Sequence, residues 1–193
     1  MRLFFVIVCV LFSCGGTVNH EQSKMIFKYN ESAGIHSFDP AFAKDQSRIW
    51  FCNQIYNSLV QLDSNLEVQP SIAKRWEISE NGLLYDFVIR DDVAFHHSEK
   101  YFGTNRYRNL DVNDVIYSLS RLKSKKTASP GAWILSNVKN ISVFNDSTIR
   151  VNLLSPNPAF LGLLSMQYCS VLPVESDTIP DFFDTPLGTG PFQ

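Results

Sequence analysis

Gln69-Pro70-Ser71-Ile72-Ala73-Lys74-Arg75-Trp76-Glu77-Ile78-Ser79, followed by Asn81-Gly82, by Tyr85-Asp86-Phe87-Val88-Ile89-Arg90 and by Val93-Ala94-Phe95-His96, is the stretch whose order decides the fold. A Pro-led turn opens it, and a Trp-bearing strand, an Asn-Gly turn and an alternating strand follow. Asn-Gly supplies the positive φ angles of a two-residue hairpin turn. Trp76 and Ile78 before the turn and Leu84, Phe87 and Ile89 after it offer apolar side chains to pair, so the residues alone predict a β-hairpin with a packed tryptophan.

Outward from the hairpin, strands and helices come in mixed order. A first strand is expected at 25–29 and a helix at 43–62, where Ile49, Cys52, Ile55, Tyr56, Leu59 and Val60 recur at three and four. Residues 92–108 read as a polar and aromatic loop. Asp111 is a good N-cap for the next helix, with Asp114 at its third position and Val115, Ile116, Leu119 and Leu122 on the inner face. A second hairpin is expected from 138–144 and 148–153 about Asn145-Asp146-Ser147, then a short helix within 156–166 and a strand at 171–174. Two hairpins among helices, with no internal repeat, favour an α+β (mixed α/β) fold over a regular βαβ array.

The 193 residues carry a net charge of −2 and 45% hydrophobic residues, which suits a globular fold and gives no basic bias for nucleic acid. The local basic run, Arg121, Lys123, Lys125 and Lys126, falls at the end of the expected helix, where cations suit the dipole. Arg2 followed by apolar residues 3–12 is too short to span a bilayer, which takes about 20 residues, and suits the core of a signal peptide. Residues 15–24 lack apolar periodicity and read as a flexible tether. Cys52 and Cys169 are expected as two buried thiols, with a disulfide as the alternative in an oxidising compartment.

The quoted stretch resembles the P-x-L-A-x-x-W-x-x-S-x-D-G-x-x-Y-x-F-x-L-R-x-x-V-x-F-H signature of the extracellular solute-binding proteins of family 5, the peptide- and nickel-binding receptors of ABC importers. Phe38-Asp39-Pro40-Ala41, Asn53-Gln54-Ile55-Tyr56-Asn57-Ser58-Leu59-Val60, Asp111-Val112-Asn113-Asp114-Val115-Ile116-Tyr117-Ser118-Leu119, Ser129-Pro130-Gly131-Ala132, Asn157-Pro158-Ala159-Phe160-Leu161 and Gly188-Thr189-Gly190-Pro191-Phe192 are similar to further segments of that family in the same order. Leu11-Phe12-Ser13-Cys14 resembles the bacterial lipobox, with Cys14 as the lipidated residue; an ordinary cleaved signal peptide is the alternative.

The resemblance implies a fold and a domain plan. Residues 1–13 would be a lipoprotein signal peptide, 14–24 the tether, and 25–193 the N-terminal part of the family domain, with a small hairpin-rich subdomain over roughly 45–155. The fold would be the first lobe of a two-lobed fold of the type II periplasmic-binding-protein kind, with the second lobe absent, since family members run to more than twice this length. The loop after Phe95-His96 is longer than the family's, and this implies an altered surface on the small subdomain.

The function implied is that of an extracytoplasmic, lipid-anchored binding protein taking peptide or a similar small solute to ABC importer permease subunits, without catalysis or cofactor. The alternative is a non-transporting surface or interaction lipoprotein derived from a split or truncated relative. Ligand contacts are implied at Ala33, Gly34, Ile35, His36 and Ser37 and at Gly188, Thr189 and Gly190. Gly34 would permit close backbone approach, and main-chain pairing would suit a receptor for many peptides. His96, His97 and Glu99 are expected at the surface and not on a metal, because adjacent strand residues point to opposite faces and no second ligand cluster follows. No G-x-S-x-G, P-loop or C-x-x-C motif is present.

Overall fold

The computed structural model describes residues 28, 30, 31, 34, 35 and 37–193. The expected signal peptide and tether, Cys14, Ala33, His36 and, except for Lys28, the expected first strand lie outside the described residues. The chain divides into Met1–Asn30 and Glu31–Gln193, and the fold is that of the second unit.

Six strands and four α-helices occur among the described residues. Helix α1 is Gln46–Ile55; β1 (Val60–Leu62) and β2 (Val68–Pro70) form a two-stranded antiparallel sheet. Strands β3 (Ala73–Ile78), β4 (Leu84–Ile89), β5 (Val138–Asn145) and β6 (Thr148–Leu153) form an antiparallel sheet in the order β3-β4-β6-β5. Short α2 (Glu99–Phe102), α3 (Val112–Lys123) and α4 (Phe160–Leu164) complete the set. Tyr85, Phe87 and Ile89 of β4 and Ile149, Val151 and Leu153 of β6 point to one face, where Val115, Leu119 and Leu122 of α3 meet them in the main core. This arrangement is mixed α and β, as expected.

Both hairpins form. The first is longer at its turn than a two-residue loop: the Gly82 N–H donates to Ser79 O and the Ser79 N–H to Leu84 O, and Gly82 alone of the Asn-Gly pair has positive φ (66°). Ser79 and Asn81 side chains hold this wider turn, accepting from the N–H groups of Leu84 and Leu83. Leu84 does not share a face with Phe87, since strand side chains alternate; the buried set is Tyr85, Phe87 and Ile89. Trp76 packs partly buried against the core, whereas Ile78 is 46% exposed. The second hairpin turns at Asp146-Ser147, between the paired Asn145 and Thr148.

The helix expected over 43–62 stops at Ile55. Asp45 caps its start by accepting the Arg48 N–H, and Tyr56 is already extended (φ −117°, ψ 156°). The following carbonyls are bonded elsewhere: Asn57 O accepts from Val171, Ser58 O from Ile72 and Leu59 O from Ala73. Leu59 and Val60 thereby enter the main core from the lead-in and first residue of β1 and not from a helix face. The strand expected at 171–174 is also absent. Val171 and Leu172 are buried, but Leu172 N–H donates to the Ser118 hydroxyl and Val174 N–H to Asp114, so side chains of α3 take the place of a partner strand.

Asp111 and Asp114 form the capping box at the start of α3. Asp114 is fully buried and is gripped in addition by Arg108, whose guanidinium also holds Glu175. Burial acts to lower the Arg108 pKa, but hydrogen bonds to Asp114 and Glu175 outweigh it and the shift is upward. Burial pushes the Glu175 carboxyl up, and Arg108 more than reverses this, leaving it below the ordinary glutamate range. The supposed loop over 92–108 contains α2, capped by Ser98, and a 3-10 turn at Gly103–Asn105. At the far end of α3, Arg121 binds Asp39 and lies over the Phe182 ring, and Lys123 donates to Val138 O, so part of the basic run serves the fold.

Phe87→Ala should cost about 3–5 kcal/mol in urea denaturation, while Ile78→Ala should stay within about 0.5 kcal/mol; comparable losses at both sites would contradict the facing described. A second expectation concerns acid. A carboxyl with a lowered folded pKa contributes stability that is complete above its unfolded value, about 4.3 for glutamate, and is lost as pH falls through the folded value. Wild type and Glu175→Gln should therefore differ in urea midpoint near neutrality and converge as pH falls through the lowered folded value; a constant gap would place the effect outside this ion pair.

Candidate functional site

Of the two candidate segments, Gly188-Thr189-Gly190 lies against the end of α1, and the other leads into Phe38, whose ring stacks on Phe51 of that helix. In the first, Gly34 has φ +68°, a conformation that favours glycine, and among the described residues nothing lies within 4 Å of where a Cβ would stand. Ile35 and Ser37 are half-buried. Ser37 accepts the Asp39 N–H at 3.2 Å, and Asp39, itself held by Arg121, accepts the Ala41 N–H and fixes the 3-10 turn at Pro40–Phe42. The Phe38 N–H donates to Phe183 O at 2.9 Å and its ring stacks on Phe51.

In the second segment, a Cβ on Gly188 would collide with the Ile55 carbonyl and approach the Tyr56 ring, and one on Gly190 would meet the Ile55 carbonyl carbon at 2.5 Å and Gln54 O at 2.6 Å. Only glycine permits this approach. The Gly190 N–H donates to Ile55 O (2.8 Å) and the Phe192 N–H to Gln54 O (2.9 Å), which satisfies two carbonyls near the end of α1. On the other side, Gly188 O accepts the His96 N–H (3.1 Å) and Gly190 O lies 2.7 Å from His96 Nε2. The glycines thus use these backbone groups on the chain itself. Thr189 is half-buried and its hydroxyl donates to Asn57 Oδ1 at 2.9 Å.

Tyr56 joins the two segments. Its hydroxyl donates to Phe38 O, one residue after the first segment, at 3.0 Å while its ring lies against Gly188, so one tyrosine side chain links Phe38 to the second segment. Burial pushes the Tyr56 phenol well above its usual range, which keeps it a neutral donor. Thr189 and Asn57 line a recess of about 290 Å³ with Ser71, Arg90, Asp92 and Val93. Arg90 and Asp92 are paired through two 2.8 Å hydrogen bonds, and these hold the Asp92 carboxyl below its usual range. A larger hollow of about 570 Å³, lined by Tyr117, Arg121, Lys126 and Phe182 among others, contains none of the candidate residues.

Sequence reasoning missed Tyr56 and Asn57 as linking groups, although both stand in a segment quoted for its family order. It placed His96 at the surface; the residue is half-buried and bonded to Gly190, while His97 is exposed. Cys52 and Cys169 are buried free thiols, each pushed up to about 12 by burial, so neither offers a thiolate at neutral pH. Among the described residues no three His, Cys, Asp or Glu side chains converge as a metal site, and no helix is long and apolar enough to cross a membrane.

Residues 67–193 match the family model for bacterial extracellular solute-binding proteins, family 5, middle region. The chain belongs to this family. It is 32% identical over 161 residues to the dipeptide-binding protein of Escherichia coli strain K12, covering 72% of this chain and 29% of that protein. It is 30% identical over 158 residues to heme-binding protein A of Haemophilus influenzae, covering 72% of this chain and 28% of that protein. A solved structure of the periplasmic binding protein DppA from Helicobacter pylori in complex with peptide STSA superposes with a TM-score of 0.71 at 31% identity, over 81% of this chain and 34% of that one. This family 5 chain therefore spans about a third of the length of such relatives, and its mixed helix and sheet architecture corresponds to part of their fold.

Proposed function

We propose that the chain supplies the first, ligand-gripping lobe of an extracytoplasmic binding lipoprotein that delivers peptide or a similar small solute to the permease of an ABC importer. The single observation that carries this reading is the family match across residues 67–193. The relatives named above are binding proteins, which favours capture without catalysis. Gly34, Ile35 and Ser37 with Gly188, Thr189 and Gly190 are the proposed residues of the ligand site, together with Ala33 and His36, the two buried glycines acting through their packing. The geometry supports a division of labour: Gly188 and Gly190 seat their segment on α1, Thr189 is its accessible side chain, and Gly34 would leave room for a ligand main chain. Peptide is favoured over other solutes because extended main chain can be held without reading side chains. Residues 1–13 act as the export signal, residues 14–24 as a tether and Cys14 as the lipid anchor, each buried methylene of which adds about 0.8 kcal/mol of membrane affinity.

A clamp grips from both sides, so residues 1–193 alone should show no dipeptide affinity in calorimetry, yet millimolar alanyl-alanine should move amide resonances at Gly34, Ile35, Ser37 and Thr189. Micromolar affinity would overturn the two-sided clamp. Resonances that stay fixed at all four residues would favour the non-transporting lipoprotein. For the anchor, Cys14→Ser should release the protein from the membrane fraction on cell fractionation; retention there would defeat the lipoprotein assignment.

A further inference from the structure

The excursion between Ala94 and Asn109, longer than the pattern its flanks resemble, reaches the stretch 181–193 far along the chain. Its neck is a short antiparallel pairing: Ala94 bridges Asn109, the Phe95 N–H donates to Arg108 O and the Leu110 N–H to Val93 O. Beyond the neck, α2 is closed at one end by the Ser98 cap and at the other by Gly103, in a positive-φ conformation. The helix docks on the stretch that leads into Gly188. Tyr101, buried, donates its hydroxyl to Thr185 O at 3.0 Å, and Lys100 Nζ lies 2.7 Å from Asp181 Oδ1 and 2.9 Å from Thr185 Oγ1.

At the base of the excursion, His96 makes two bonds to the glycine segment, from its N–H to Gly188 O and from its ring to Gly190 O. A carbonyl only accepts, so Nε2 carries a hydrogen. His97 O accepts from the Gln193 side chain one step further on. The chain from 185 to 193 is thus held from the excursion side at Thr185, Gly188, Gly190 and Gln193, and from the α1 side at Gly190 and Phe192.

We propose that the excursion is a brace that fixes Gly188-Thr189-Gly190 against the end of α1, with His96 and Tyr101 as positioning residues for the Thr189 side of the ligand site. The brace itself stands on the contacts above; its meaning for ligand rests on the function proposed for this chain. A histidine suits the task because its ring reaches a carbonyl two residues beyond the one its own N–H contacts, so one residue fixes both glycines. Tyr101 and Lys100 add a second anchor upstream, which stops the segment from pivoting about His96.

The test is residue-resolved amide hydrogen exchange on the full chain. In His96→Ala the Gly190 and Phe192 amides should exchange roughly tenfold faster, while Phe87 and Val151 in the sheet stay protected. His96→Gln, whose amide can still donate to Gly190 O, should restore much of the protection, a rescue that mere loss of packing would not give. Tyr101→Phe, which keeps the ring and removes the hydroxyl, should quicken Gly190 exchange by a smaller factor. Unchanged exchange at Gly190 in His96→Ala, or loss of protection across the sheet as well, overturns the brace. In a second arm, millimolar alanyl-alanine should shift Thr189 in wild type and not in His96→Ala, with Gly34 and Ser37 responding in both. Absence of any shift in wild type counts against the ligand site and leaves the exchange result to judge the brace. A Thr189 shift that persists in His96→Ala overturns the positioning role.

Discussion

Asp114 is the constraint on which the arrangement of the described chain depends. A fully buried carboxylate is costly unless hydrogen-bonded and paired, and Asp114 accepts from the Asp111 N–H at the start of α3, from the Val174 N–H and from two guanidinium nitrogens of Arg108. The donors come from the stretch just before α3 and from Val174, about sixty residues further on. The carboxylate therefore caps its own helix, tethers the return of the excursion and holds the segment entering the 3-10 turn at Val174–Asp177. Arg108 extends the junction by binding Glu175 and lying over the Phe95 and Phe102 rings, so a charged cluster and an aromatic one share a residue. The backbone that follows, through Thr185 to Gly190, begins from a point this cluster fixes.

What could be read in the sequence follows the range of the interactions. Both hairpins and α3 were legible because their signals are local: an Asn-Gly turn, alternation about Asn145-Asp146-Ser147, an N-cap with an acid three residues on. The end of α1 was not, since Tyr56, Leu59 and Val60 are spaced as well for a helix face as for an extended run that places Leu59 and Val60 in the core. The deciding partners, Ile72, Ala73 and Val171, lie far away in sequence. The segment at Val171 has the same history in reverse. It is apolar enough for a strand, but its N–H groups are satisfied by Asn57, Ser118 and Asp114, and no pattern within it could announce that. His96 looked like a surface histidine because its partner carbonyl lies at Gly190, and only the folded chain brings the two together.

The glycines of Gly188-Thr189-Gly190 show how far a shared residue order can be taken as a statement about ligand. Side chains at 188 and 190 would collide with the last turn of α1, so the scaffold alone demands glycine at both, whatever is bound. The side chain between them is under no such restriction, and Thr189 meets Asn57 at the recess with Arg90 and Asp92. Relatives named for a dipeptide and for heme match this chain to a similar degree, which is expected if the matched order mostly records packing. Discrimination among solutes then falls to groups the packing leaves at liberty to vary. On the function proposed for this chain, those are the side chain at 189, the backbone about Gly34 and whatever faces them from the remainder of a two-lobed receptor.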